Sequence, residues 1–398
     1  MRFENVFIPY GGYWSSPFCR WQGSLSREHP LQLAASCASG LLDTVGYDPQ
    51  GLGGIHFGMT VPQHQSFFGA PWIGALIGAD RVTGPTISQA CATSARVIAS
   101  GACAVELGSD GALLALAADR VSNGPAIYYP DPGGPGGRGV TEHWVWDNFN
   151  NDPHAGVAMI QTAENIASRF GFSREEQDEL ALCRHEQYRM ALAQDQAFQR
   201  RYLVEVTVST GRNERTISRD EGVRARDADG LRALEPVLEQ GTVTAAGQTH
   251  PADGNAGMLL GTAEQARDLG RDGGVAVQLL SYGEGRAEKA HMGMAPVAAA
   301  SAALEAAGLS IDRIAVVKTH NPFIVNDLYF AKETGYAAER MNNFGSSLIF
   351  GHPQGPTGMR LVLELIEELV LRGGGHGLFA GCAAGDTGAA VVLKVDVG

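Results

Sequence analysis

Four side chains in this 398-residue sequence have the types and settings for thioester chemistry: Cys91, His320, His352 and Cys382. Cys91 sits in GPTISQACATSARVIASG, residues 84–101, between a strand-like end at Thr86–Ser88 and a helical pattern over Thr93–Val105. There Ala95, Val97, Ile98, Ala102 and Val105 recur at helical intervals. A thiol at such a start faces unpaired amides and the positive end of the helix, which predicts a lowered pKa and a large thiolate fraction. His320 lies in THNPF after the strand-like Ile314–Val317, and His352 in the Gly/Pro-constrained GHPQGPTG that feeds a helix. Cys382 occupies the small-residue turn GCAAGDTG between two strands. Taken singly, each histidine or cysteine reads as packing. Together, two thiols and two imidazoles can perform carbon–carbon chemistry on thioesters. One thiolate carries an acyl group, an imidazole takes the attacking thiol's proton, the second cysteine exchanges a proton, and N–H donors hold the developing oxyanions.

The elements that must position these groups follow an α/β rhythm. Strand-like runs (Val6–Pro9, Gly54–Met59, Ala112–Ala117) alternate with helical ones (Leu31–Leu42, Ala70–Ile77, Thr93–Leu107) up to about residue 122. Asn123–Gly139 is rich in proline and glycine and predicts an excursion from the core. An aromatic cluster, His143–Phe149, follows on a loop; it either packs a satellite core or lines a substrate channel. Met159–Ala193 is helical, with a capping box at Ser173–Glu176. Arg212–Arg232, with Arg215, Arg219, Arg224 and Arg226, reads as a solvated face, the alternative being a pocket for a phosphorylated ligand. The rhythm returns from about Gly241. There Thr357 and Arg360 open a helix leading to the strand Gly377–Gly381, much as Thr93 and Arg96 open one leading to Gly111–Ala115. This echo predicts a duplicated unit in which His352 stands near one helix start as Cys91 stands near the other.

Composition bounds the function classes. With 44% hydrophobic residues the chain can bury one large core or several smaller ones, and its net charge of −13 argues against general nucleic-acid binding. Six cysteines without a CxxC pair predict neither a disulfide framework nor a structural zinc site, and fit a reducing compartment. No basic leader, uninterrupted apolar run of 18 residues or peroxisomal tripeptide is found, so a cytoplasmic protein without membrane contact is expected.

At this point the chain resembles the thiolase family over nearly its whole length, because the family's signatures occur in the family's order. SQACATSARVIASG resembles the nucleophilic-cysteine motif, and DRVSNGP the segment leaving the first core domain. MIQTAENIASRFGFSREEQDELAL is similar to the loop-domain helices, and the segment RDEGVRARDADG through ADGNAG to the return into the second core domain. HNPF, NNFGSSLIFGHPQGPTGMR and GCAAGDTGAA complete the set. The resemblance implies two βαβαβαββ halves in a five-layer αβαβα core with an inserted loop domain: residues 1–122, 123–243 and 244–398.

It further implies a CoA-dependent acyltransferase that cleaves a 3-oxoacyl-CoA thiolytically, or runs the reverse Claisen condensation, through an acyl-Cys91 intermediate. His352 corresponds to the base and Cys382 to the acid/base cysteine. The N–H groups of Cys91 and Ala384 would hold the acyl oxygen, while His320 and His352 would hold the enolate oxygen. Met159 and Phe323 match pantetheine-tunnel residues, and Thr249 a residue that contacts coenzyme A. No tightly bound cofactor or metal is implied; coenzyme A and 3-oxoacyl-CoA esters are the substrates, and the assembly is a homodimer or homotetramer, with a second subunit left open. His320 replaces the common asparagine, as in the sterol-carrier type, and Ala384 replaces a glycine. These departures point to a branched, aromatic or bulky acyl chain. The rivals are a decarboxylating 3-ketoacyl synthase, for which Cys382 would be superfluous, and a non-catalytic acyl-CoA-binding subunit of the same fold.

Overall fold

The alternating patterns resolve into two sheets separated by two helices. The computed structural model describes residues 1–210 and 213–398, so Arg212 of the charged run lies outside the described residues. One sheet joins β2 (Tyr13–Ser15), β4 (Gly54–Gly58), β5 (Thr86–Ile87), β6 (Leu113–Arg120) and β11 (Ala252–Leu260) in the order β2-β11-β6-β4-β5, with β3 (Cys19–Arg20) also on β11. The other has the order β1-β12-β15-β14-β13, from β1 (Phe7–Ile8), β12 (Val275–Arg286), β13 (Ile314–His320), β14 (Gly374–Ala383) and β15 (Thr387–Val397). Central strands are buried almost without alternation, because both faces are covered: every residue of β11 is buried, Asp253 and Asn255 included, as are seven of the eight in β6.

Helices fill the remaining layers. On the outside of the first sheet lie α1 (Pro30–Val45), with proline in its first turn and Gly46 closing it at φ 66°, and α2 (Ala70–Leu76). Between the sheets run α3 (Thr93–Glu106) and α12 (Pro356–Leu371), each touching strands of both sheets and each other. Outside the second sheet lies α9 (Ala295–Ala307). The five-layer αβαβα order is thereby present. The segment between β6 and β11 adds the hairpins β7 (Ala126–Tyr129)/β8 (Val140–His143) and β9 (Val206–Thr210)/β10 (Asn213–Ile217). It also supplies the helices α4 (Trp146–Asn150), α5 (Met159–Phe170), α6 (Arg174–Gln196) and α7 (Ala228–Arg232). The capping box at Ser173 forms as the sequence predicts. Arg215 and Arg219 pair on the surface with Glu221 and Asp195, as expected of a solvated face.

The two halves are related but unequal. The first reads β2-α1-β4-α2-β5-α3-β6-β11. After α8 (Ala263–Asp268), the second reads β12-α9-β13, then α10 (Ile324–Thr334) and the short α11 (Ser347–Phe350), then α12-β14-β15. Where β5 has its counterpart, no strand forms among the described residues. Instead the backbone N–H of Asn342 donates to Val317 O (3.0 Å), and its side-chain oxygen accepts from Thr319 N–H (2.8 Å). One amide side chain thus replaces a ladder bond.

Candidate active site

Cys91 lies in a turn pinned from both sides. Thr93 Oγ1 accepts from Gln89 N–H (2.8 Å) and donates to Ala90 O (2.7 Å), while Ala90 takes φ 45°, a left-handed conformation that alanine adopts only under constraint. Helix α3 begins two residues later, so the predicted place of the cysteine at the helix start holds. The predicted electrostatics do not. Burial pushes the Cys91 thiol up to about 12, outweighing the N–H groups of Ala384 and of Cys91 itself, which pull the other way. Desolvation exceeds what a helix start and two amides supply, so the resting group is S–H.

That thiol has two acceptors. His352 Nε2 lies 3.2 Å from Sγ and Gln354 Oε1 lies 3.3 Å from it. The other ring nitrogen of His352, Nδ1, is 2.6 Å from Thr357 Oγ1. With Nδ1–H donating to that hydroxyl, Nε2 is free to accept from the thiol. The His352 loop is tied to the first half by Asp119. Its carboxylate accepts from Gly355 N–H (2.8 Å) as well as from the N–H groups of Thr60 (2.8 Å) and Val61 (2.9 Å). The Ser94 hydroxyl donates to Gly355 O at the same junction.

His320 ends β13 and stacks on His352, with ring centroids 4.1 Å apart and planes inclined at 34°. Cys91, His320 and His352 bring one donor atom each within 4.8 Å of one another; among the described residues they are the one group of this kind that could hold a metal ion. Burial lowers His320 to about 3, and burial followed by His320 lowers His352 well below its ordinary value. Both rings are neutral. Cys382, at the end of β14, is fully buried, and its sulfur accepts from Asn326 Nδ2 (3.3 Å). Burial and the nearby Cys91 raise it well above a normal thiol, with Asn326 opposing, so it rests as a proton donor.

A cavity of about 660 Å³ opens onto Cys91, His352 and Ala384, with Met159, Thr249 and Phe323 also in its wall. All eight residues singled out from the sequence therefore gather in one region, but His320 and Cys382 stand behind the wall, both 0% exposed. The Thr249 hydroxyl is engaged within the protein, donating to Ser347 O at 2.5 Å. Trp144, Trp146 and Phe149 of the aromatic cluster line the same cavity, while Trp144, Val145 and Phe149 also pack a small satellite core with Val61 and Val121, so both readings describe part of that cluster. Sequence reasoning attached no role to Gln354, Thr357, Asn326 and Ser347. Gln354, Thr357 and Ser347 all lie inside the quoted motif NNFGSSLIFGHPQGPTGMR, and the first two could have been flagged by their closeness to His352; Asn326 lies in none of the quoted motifs.

Comparison with known proteins agrees along the chain. The thiolase N-terminal domain family matches residues 14–264 and the thiolase C-terminal domain family residues 274–395. The chain is 30% identical to a Bacillus subtilis 3-ketoacyl-CoA thiolase, covering 94% of this chain and 95% of that protein. It is 29% identical to a Pseudomonas aeruginosa acetyl-CoA acetyltransferase, covering 94% and 96%. Its structure superposes on the crystal structure of a Bacillus anthracis acetyl-CoA acetyltransferase with a TM-score of 0.90, at 27% identity and 99% coverage of both chains. A human mitochondrial 3-ketoacyl-CoA thiolase in complex with CoA shares the fold at a TM-score of 0.89, with 24% identity and 98% coverage of both chains. Across fold, signature order and full-length likeness, the chain belongs to the thiolase family of acyltransferases.

Proposed function

We propose that the protein catalyses the CoA-dependent cleavage of a 3-oxoacyl-CoA, or the reverse condensation, through an acyl group carried on Cys91. The observation that carries this reading is the 3.2 Å contact between Cys91 Sγ and His352 Nε2 at the wall of an apolar cavity. In the cleavage direction His352 Nε2 takes the thiol proton as sulfur attacks the C3 carbonyl, and the N–H groups of Cys91 and Ala384 hold the oxyanion. The C2–C3 bond then breaks. Its electron pair forms the acetyl-CoA enolate, whose oxygen faces the newly acquired Nε2–H of His352 and the ring of His320. Cys382 gives its proton to the enolate carbon. It then takes the proton of incoming coenzyme A, whose sulfur displaces the acyl group from Cys91, and the departing Cys91 sulfur takes back the proton held on His352 Nε2, which restores the enzyme.

Neutral resting groups suit this order. With Cys91 raised and His352 lowered, an ion pair forms only as substrate charge develops to match it. Supporting a bulky or aromatic acyl chain are the cavity's volume and the rings of Trp144, Trp146, Phe149 and Phe323 in its wall. Met159, Phe323 and Thr249 would border the pantetheine arm. Residues 123–243 fit the inserted loop domain, since they carry no strand of the two central sheets, but the expected second half starting at residue 244 is too early, because β11 (Ala252–Leu260) completes the first sheet. Six free cysteines suit a reducing cytoplasm, and among the described residues no helix is long and apolar enough to cross a membrane. Phe67 and Phe68, exposed by 92% and 68%, lie near the edge strand β5, where a second copy would cover them.

The test is a panel of 3-oxoacyl-CoA esters offered with coenzyme A, with acyl mass read on the Cys91 peptide in a Cys382→Ser background. Acyl mass on another residue, with Cys91 unmodified, sinks the assignment.

A further inference from the structure

Resting on that reading, the reaction asks His320 for a hydrogen bond that it cannot acquire during the reaction. His352 gains its Nε2 proton from Cys91. His320 has no such source: it is wholly buried, and among the described residues its Nε2 has no hydrogen-bond partner. A neutral imidazole carries a single N–H, so which nitrogen bears it decides whether His320 can serve an oxyanion at all.

We propose that Ser347 is a positioning residue whose hydroxyl donates to His320 Nδ1 and thereby places the ring's one proton on Nε2, toward the Cys91–His352 pair. Ser347 Oγ has three polar neighbours: His320 Nδ1 at 2.8 Å, the backbone N–H of Asn321 at 3.3 Å and Asn321 Oδ1 at 3.3 Å. The Asn321 N–H can only donate, so it occupies a lone pair of Oγ. The hydroxyl proton then chooses between Nδ1 and Oδ1. Nδ1 is nearer by half an ångström, and Oδ1 already accepts from Leu348 N–H (3.2 Å). The serine cannot turn away freely. Its own carbonyl accepts from Thr249 Oγ1, and Asn321 is fixed by Nδ2–H donating to Asp327 Oδ2 (2.7 Å). Asp327 is in turn clamped by Arg184 of α6, through Nε (3.0 Å) and Nη2 (2.8 Å).

The two stacked rings thus have opposite tautomers, set by two hydroxyls in opposite senses. Thr357 accepts from His352 Nδ1 and leaves Nε2 basic beside the thiol. Ser347 donates to His320 Nδ1 and leaves Nε2–H facing the site.

The experiment is ¹⁵N NMR of the full chain with labelled histidine, beside steady-state kinetics of Ser347→Ala, Ser347→Thr and His320→Ala. The wild-type His320 signals should show protonated Nε2 and bare Nδ1. Ser347→Ala should lose that pattern and lower kcat on the order of tenfold, less than the 10²–10³ for deleting a donor outright, with KM for coenzyme A unchanged. Ser347→Thr should restore both. A wild-type spectrum with protonated Nδ1 overturns the inference, and this needs no variant to fold. So does a folded Ser347→Ala with unaltered kcat while His320→Ala is impaired. If His320→Ala itself retains full kcat, the role given to His320 in the reaction falls instead, and Ser347 with it.

Discussion

Replacing His320 by asparagine should change how stability depends on pH by an amount the structure fixes. The imidazole is 0% exposed, and burial holds its pKa at about 3, whereas in the unfolded chain it titrates near 6.5. The unfolded state therefore binds a proton over a range in which the folded state does not. The stability owed to the neutral ring is complete above pH 6.5 and is lost as the pH falls from there toward 3. At about 1.4 kcal/mol per pH unit, moving from 6.5 to 5 removes about 2 kcal/mol from the wild type that the asparagine variant keeps. Urea unfolding of both proteins at pH 7.5 and pH 5 isolates this quantity, because subtraction cancels the shared groups. The shared groups matter. Asp119 and Asp253 are raised by burial to about 7 and about 6, so their contribution falls as the pH rises and would mask a single curve. The variant's stability relative to wild type should rise by about 2 kcal/mol between the two conditions. An identical difference at both pH values would mean that the ring takes up its proton inside the fold, and the neutral-histidine account would fail.

Three further outcomes are expected. His352→Ala should slow acylation of Cys91 by at least 10²–10³, on the order of an oxyanion donor's loss with a base's added, read by quench-flow mass analysis; normal acylation removes His352 from the role of base. Asn326→Leu removes the side-chain donor to Cys382 and should slow exchange of acetyl-CoA methyl protons with D₂O roughly tenfold or more while Cys91 still acylates; unaltered exchange on NMR would show Cys382 to act without it. Asp119→Ala leaves the N–H groups of Thr60, Val61 and Gly355 without their acceptor, so it should cost roughly 3 kcal/mol or more in chemical denaturation; a change below about 1 kcal/mol would mean that these donors find other partners.

Much of the architecture is legible in the sequence because it is local. The apolar spacing after Cys91, the capping box at Ser173 and the repeat of Thr93/Arg96 in Thr357/Arg360 each depend on a few neighbouring residues, and each forms. Properties set by enclosure are not local. The helix start predicts a thiolate at Cys91, yet desolvation among residues brought in from distant segments pushes the thiol up, and a one-dimensional pattern carries no measure of that. The acids of α12 make the same point. Glu364, Glu367 and Glu368 are all buried and met by Lys318, Arg271 and partners from distant segments, which nothing in the local pattern announces. Ser347 and Asn326 are invisible for a related reason, since their meaning lies in which ring or sulfur they face across the fold.

The tie between Asp119 and Gly355 has a consequence for how the chain is made. Cys91 comes from the first half, His352 from the second, and the junction that brings them to 3.2 Å consists of contacts between the two. A ribosome delivers Cys91 long before it delivers the loop that carries its proposed base, or the β14 end that leads to Ala384. Until then the emerging chain carries an ordinary thiol without the histidine that stands 3.2 Å from it in the fold. The proposed acyl transfer therefore needs closure of the last sheet, so a truncated molecule that lacks the His352 loop and β14 would keep the cysteine without the groups arranged to use it.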